Sequence, residues 1–173
     1  PDMRIVGGEF RGRGLATPRS SSIRPTSDRL RETVFDILVH RFGDPVTGAR
    51  VLDLFAGTGA LGLEALSRGA AFCLFVDDSV EGRGLVRTNV EAFRLTGRTK
   101  IFRRDATRLG PCAPGEPYDL LFADPPYGKG LAEAALASAA AGGWLVPGAL
   151  CVVEESAEAE VAIPSAFTAE HER

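Results

Sequence analysis

A chain of 173 residues that is 45% hydrophobic and 25% charged, with a net charge of −3, has an ordinary globular composition, which excludes an intrinsically disordered chain. Its length suits one α/β domain with a substantial core. No window reaches the apolar length of a membrane span; the nearest imitator, 131–141, is short and contains Glu133.

The amino end is basic and glycine-rich and shows no signal-peptide pattern. Residues 1–31 hold seven arginines (4, 11, 13, 19, 24, 29 and 31) against Asp2, Glu9 and Asp28, a charge of +4, which leaves −7 for residues 32–173. A basic arm on an acidic body can grip a phosphate backbone while the whole stays soluble, because the planar guanidinium fork matches phosphate oxygens. A solvated extension without a ligand is the competing reading. Gly7-Gly8 and Gly12 among alternating residues predict a small hairpin, so residues 1–25 read as an arm and 26–173 as the domain. Thr26 or Ser27 then caps a helix whose apolar face is expected to use Leu30, Val34, Ile37, Leu38 and Phe42, with Asp28 suiting the helix dipole.

From residue 49 onward, strands at 49–55, 72–77, 100–104, 118–123 and 149–154 alternate with helices at 59–68, 79–95 and 129–141. This predicts an α/β, Rossmann-like fold with a mainly parallel central sheet flanked by helices. Cys73, Cys112 and Cys151 are odd in number, far apart and without metal spacing. They read as free thiols in a reducing cytoplasm, two of them inside strands, and no metal site is expected.

The first predicted strand runs into Ala56-Gly57-Thr58-Gly59-Ala60-Leu61-Gly62 and then a helix. In that strand–turn–helix context a GxGxxG match marks a nucleoside-binding turn, whereas tight packing without a ligand is the plain alternative. Asp77 ends the next strand, where an acid can accept ribose hydroxyls. Asp53 lies inside the first strand, four residues before Gly57. A dinucleotide gains nothing from a carboxylate there, but the cationic amino group of a methionine moiety does. Asp105, after the strand at 100–104, can reach an adenine amine or simply cap the turn before Thr107. S-adenosylmethionine is therefore favoured over a dinucleotide.

Asp124-Pro125-Pro126-Tyr127 follows the apolar strand at 118–123. Proline fixes φ, donates no hydrogen bond and holds the preceding residue extended, so the strand stops with an acid, a free carbonyl and a flat ring at its carboxyl end. Asp124 and the Pro125 carbonyl can each accept one N–H of an exocyclic amine while Tyr127 stacks on the ring. A turn whose Asp caps the next helix is the other reading.

Asp53-Leu54-Phe55-Ala56-Gly57-Thr58-Gly59, Asp77, Asp105-Ala106 and Asp124-Pro125-Pro126-Tyr127, in this order, resemble class I S-adenosylmethionine-dependent methyltransferases acting on exocyclic amines. Residues 3–13 and Ile23-Arg24-Pro25-Thr26-Ser27-Asp28-Arg29-Leu30-Arg31-Glu32-Thr33 narrow this to the RsmD family of bacterial 16S ribosomal RNA guanine-N2 methyltransferases. The resemblance implies S-adenosylmethionine bound by Asp53, Phe55, Gly57, Thr58, Gly59, Asp77, Asp105 and Ala106, with Asp124, Pro125, Pro126 and Tyr127 at the reacting amine. It implies a guanine in small-subunit ribosomal RNA as target, within the subunit or its assembly intermediate, reached by Arg4, Arg11, Arg13, Arg24 and Arg29 of a cytoplasmic monomer. The family usually carries Glu where Asp77 stands, and it continues through a final strand beyond His171-Glu172-Arg173, so the last hairpin is expected to be incomplete here. A DNA adenine-N6 methyltransferase shares the Asp-Pro-Pro-Tyr chemistry but needs a target-recognition domain for which 173 residues leave no room. A non-catalytic S-adenosylmethionine-binding module is the third reading.

Overall fold

Val51-Leu52-Asp53-Leu54 are all buried, the mark of a strand covered on both faces. They belong to β1 (Arg50–Leu54), the centre of a five-stranded sheet ordered β3-β2-β1-β4-β5. The computed structural model describes residues 3–20, 23, 25–126, 129–154 and 166–170. Its other strands are β2 (Phe72–Asp77), β3 (Thr99–Arg103), β4 (Tyr118–Ala123) and β5 (Leu145–Val153), all pairing in parallel. The helices are α1 (Asp28–Arg41), α2 (Ala60–Ser67), α3 (Val80–Ala92) and α4 (Leu131–Ala141). From β1 the chain steps outward through β2 and β3, then returns to β4 on the other side of β1. The order thus reverses between β1 and β4, and in such sheets ligands bind at the carboxyl ends of the strands beside that reversal.

Successive strand side chains point to opposite faces. Val51, Phe75, Leu120 and Phe122 pack with Phe35 of α1, Leu63 of α2 and Val86 of α3. Leu52, Leu54, Val76 and Leu121 pack on the other face with Ala135, Leu136 and Ala139 of α4 and with Trp144. All eight residues of α2 are buried, Glu64 and Ser67 included, because the arm covers the side of this helix that the sheet does not.

Three expectations are corrected. β5 begins at Leu145 rather than 149: Pro147-Gly148 reads as a turn, but the ladder absorbs it as a register shift opposite Tyr118 and Leu120, which is tolerated in an edge strand. The helix expected at 79–95 is capped by Ser79 and ends at Ala92, before Arg94 adopts φ 57° and Thr96–Arg98 form a 3₁₀ turn. Of the two expected caps it is Ser27 that caps α1, accepting from the Leu30 amide at 3.1 Å. The buried stripe of α1 is Arg31, Phe35 and Leu38, while Leu30, Ile37 and Phe42 are half-buried. The Arg31 charge is buried in the helix's contact face with its α2 partner Glu64 buried opposite it.

The arm folds back on itself: Ile5 N–H donates to Arg13 O at 2.9 Å and Gly12 N–H to Ile5 O at 2.8 Å. Met3, Ile5, Phe10 and Leu15 join the core layer of α1 to α3. Cys73 is buried in β2, Cys112 and Cys151 are half-buried, and all three are free thiols. Among the described residues no helix is long and apolar enough to cross a membrane.

Candidate functional site

The register of the sheet gathers the acids. Leu54 pairs with Val76 of β2 and with Ala123 of β4, so Asp77 and Asp124 flank the chain just past β1, at two strand spacings, about 10 Å. Asp53 lies one step below, across from Phe75 and Phe122, with its side chain toward α2, where Oδ2 accepts from the Gly62 amide at 3.0 Å. A Cβ on Gly62 would stand 2.5 Å from the Phe75 ring and 3.0 Å from Asp53 Oδ2, so only glycine lets α2 approach this closely.

The glycine turn is held from two sides. Phe55, Gly57 and Gly59 have φ of 56°, 59° and 79°. Glycine adopts this region freely, but Phe55 does so only because its surroundings impose it. Gly57 N–H donates to Asp77 Oδ2 at 2.8 Å, and Asp77 Oδ1 takes Ser79 N–H and Oγ at 2.8 and 2.7 Å. Buried Thr58 offers its carbonyl to Asn89 Nδ2 at 3.2 Å, while Asn89 Oδ1 accepts from the Ala16 amide at 2.8 Å. One α3 side chain therefore ties the arm to the turn.

After the hairpin the arm runs along α3. Arg19 and Ser20 amides bond Glu81 at its start, Ile23 comes within 3.4 Å of where a Gly57 Cβ would be, and Thr26 Oγ1 donates to Asp124 Oδ2 at 2.7 Å. Thr26, Ser79 and Asn89 contact the expected site residues, a part that motif reading does not assign them; Ser79 two residues after an acid is the one local signal. Pro125 is buried and Pro126 exposed, while Tyr127 lies outside the described residues.

Asp105 stands apart. It is exposed, and Thr107 Oγ1 and N–H donate to its Oδ1 at 2.7 and 2.8 Å, holding its carboxyl below the usual range. The turn-capping reading thus describes its contacts in this structure. Ala106 is buried in the layer of α4.

The arginines divide. Arg11 and Arg29 are exposed and their side chains have no partner among the described residues. Arg4 donates to Gly12 O at 3.0 Å and Arg13 to Ala92 O at 2.9 Å, while Arg24 lies outside the described residues. Arg31 is fully buried among Asp28, Arg4 O and Glu64. Burial lowers its pKa, which Glu64 and Asp28 oppose.

The Conserved hypothetical protein 95 family matches residues 3–173. The chain is 38% identical over 157 residues, 90% of its length and 76% of the relative's, to ribosomal RNA small subunit methyltransferase D of Escherichia coli. It is 31% identical, over 96% of its length and 86% of the relative's, to the protein of that name in Haemophilus influenzae. The chain belongs to the family of ribosomal RNA small subunit methyltransferase D. The solved structure of yhhF from Escherichia coli superposes with a TM-score of 0.82 at 33% identity, covering 100% of this chain and 92% of that one. The fold is that of the class I methyltransferases.

The acids of this family member suit a cationic nucleoside. Burial pushes the Asp53 carboxyl well above the usual range, against the Gly62 hydrogen bond, and repulsion from Asp124 and Asp77 adds to the rise. Asp53 has no cationic side-chain partner among the described residues. Three carboxylates of like charge around a glycine turn form a site that a ligand ammonium or sulfonium would relieve.

Proposed function

We propose that this protein transfers a methyl group from S-adenosylmethionine to the exocyclic N2 amine of a guanine in small-subunit ribosomal RNA. The observation that carries the reading is Asp124, fixed by Thr26 at the end of β4 beside an uncompensated Asp53 and the glycine turn. The name borne by the 38%-identical relative supplies the substrate class.

In this reading Asp53 faces the amino group of the methionine moiety, the backbone of Gly57, Thr58 and Gly59 passes close to the ligand, and Asp77 uses a free lone pair of its Gly57-bound oxygen for a ribose hydroxyl. Phe55 and Ala106 line the nucleoside, and Asp105 meets the adenine amine. When bound, the sulfonium supplies an already activated methyl group. Asp124 and the Pro125 carbonyl would accept the two N–H bonds of the guanine amine and orient its lone pair toward the methyl group that the bound donor would supply. Pro126 keeps the strand end extended, Tyr127 stacks on the base, and the displaced proton passes to Asp124 or water. Most of the rate comes from holding two reactants in line. The base has to be unpaired or turned out of its helix. Arg4, Arg11, Arg13, Arg24 and Arg29 hold phosphates, with the small subunit or its assembly intermediate as partner in the cytoplasm.

Asp124→Ala tests the reading. Binding of S-adenosylmethionine should survive within about threefold, while methyl transfer falls at least about a hundredfold. Transfer that survives in Asp124→Ala would sink the assignment, and intact cofactor binding without transfer to any nucleic acid in the unaltered chain would favour a non-catalytic module.

A further inference from the structure

The arm is matched by a second basic stretch. Residues 83–108 carry eight arginines and lysines against Glu91 and Asp105, a net +6 in a chain whose total is −3. The fold lays the end of α3 from this stretch against the arm. There Phe10 and Phe93 stack with centroids 5.1 Å apart, and the Arg13 guanidinium lies over both rings, at 5.5 and 4.5 Å. Beside them opens a cleft of about 510 Å³ lined by Phe10, Arg13, Phe93, Arg94 and Arg98, with Glu9 also on its wall.

The three cations are fixed or free, but none is neutralised. Arg13 Nη2 bonds Ala92 O at 2.9 Å and Arg98 Nη2 bonds Ala70 O at 2.5 Å, neutral acceptors that orient a guanidinium without cancelling its charge. The Arg94 side chain is exposed and partnerless among the described residues, on a residue whose φ of 57° turns it out of the helix. No ion pair joins Glu9 or any other described carboxylate to these three. Held guanidiniums that keep free N–H groups and full charge are built for phosphate oxygens. The ring face is already covered by Arg13, so the cleft suits backbone phosphates rather than a stacked base.

We propose that this cleft anchors the sugar–phosphate backbone of the substrate RNA several nucleotides from the target base. This rests on the RNA-methylating function proposed above. The anchor lies at the carboxyl end of α3, about 20 Å along that helix from Asp77 at its start. It positions the RNA without reading its sequence, as phosphate contacts do.

The test uses the full chain and a ribosomal RNA substrate that the unaltered protein methylates. Arg94→Asp suits a left-handed φ, Arg94→Asn removes the charge without reversing it, and Arg41→Asp at the exposed end of α1 gives a matched change in net charge. The expected result for Arg94→Asp is a KM for RNA raised about tenfold at about 0.15 M salt, an unchanged kcat and unchanged S-adenosylmethionine binding. Its log KM against log salt should be shallower by about 0.7–0.9, one phosphate contact, with Arg94→Asn intermediate and Arg41→Asp near the unaltered protein. Variants at Arg94 that match the unaltered protein would overturn the proposal, as would an equal loss in Arg41→Asp, which marks a general charge effect. An unaltered chain that methylates no RNA would overturn the functional reading and this anchor with it.

Discussion

Thr26 Oγ1 donates a 2.7 Å hydrogen bond to Asp124 Oδ2 across 98 positions of sequence. Thr26 is buried and its carbonyl accepts from Arg31 Nη1 at 3.4 Å, so the start of α1 is anchored before it reaches the carboxylate. Thr26→Val keeps the shape and removes the donor. Its kcat should fall about tenfold, the worth of one hydrogen bond to a charged group, with S-adenosylmethionine affinity nearly unchanged. Thr26→Ser should restore most of the rate. A Thr26→Val enzyme with normal kcat would show that Asp124 needs no such support.

Asp53 sets a pH dependence. Its carboxyl is raised well above the usual value by burial, so between the unfolded and folded pKa the native state holds one proton more than the unfolded chain. Stability contributed by this residue is then full below about pH 4 and declines as pH rises toward the folded pKa. Asp53→Asn should flatten the decline, visible as a melting temperature that gains on the unaltered protein as pH increases. Ligand ammonium opposite Asp53 favours the carboxylate, so S-adenosylmethionine binding should release a proton below the raised pKa. Titration calorimetry in two buffers of different ionisation enthalpy measures it. Equal heats in both buffers would contradict the role given to Asp53.

Glu64 joins the arm to the body. Both it and Arg31 are fully buried; its Oε1 lies 3.5 Å from Arg31 Nε and accepts the Val6 amide at 3.0 Å, while Oε2 accepts the Gly7 amide at 2.8 Å and Arg68 Nε at 2.9 Å. Glu64→Ala removes the buried counter-charge of Arg31, which keeps Asp28, and leaves two amides unpaired, a loss of about 3–5 kcal/mol. Urea unfolding should show it as a lower midpoint, and the amides of Val6 and Gly7 should exchange faster. A cost under about 1 kcal/mol would mean water replaces the carboxylate freely.

The sequence shows the parts of this molecule that are local. β1, the glycine turn, and the acids that end β2 and β4 follow from apolar runs stopped by Gly, Asp or Pro, and a parallel sheet then brings them to one edge. What it hides is long-range. Arg31 and Glu64 look like surface charges on their helices and become buried only because the arm returns over α2. Thr26 looks like a cap until Asp124 arrives beside it. Asp105 shows the converse, since its contacts are to Thr107 two residues on. Charge counted over residues 32–173 as one body conceals the basic stretch at 83–108, because the acids on either side cancel it.

The measurement that bears most directly on the account is the identity of the methylated nucleoside. Labelled S-adenosylmethionine would be offered with under-methylated small ribosomal subunits, naked ribosomal RNA, transfer RNA and DNA in separate reactions, each digested to nucleosides. The account predicts label in N2-methylguanosine from small-subunit material. Label in N6-methyladenine from DNA, or no label in any pool despite cofactor binding, would contradict it.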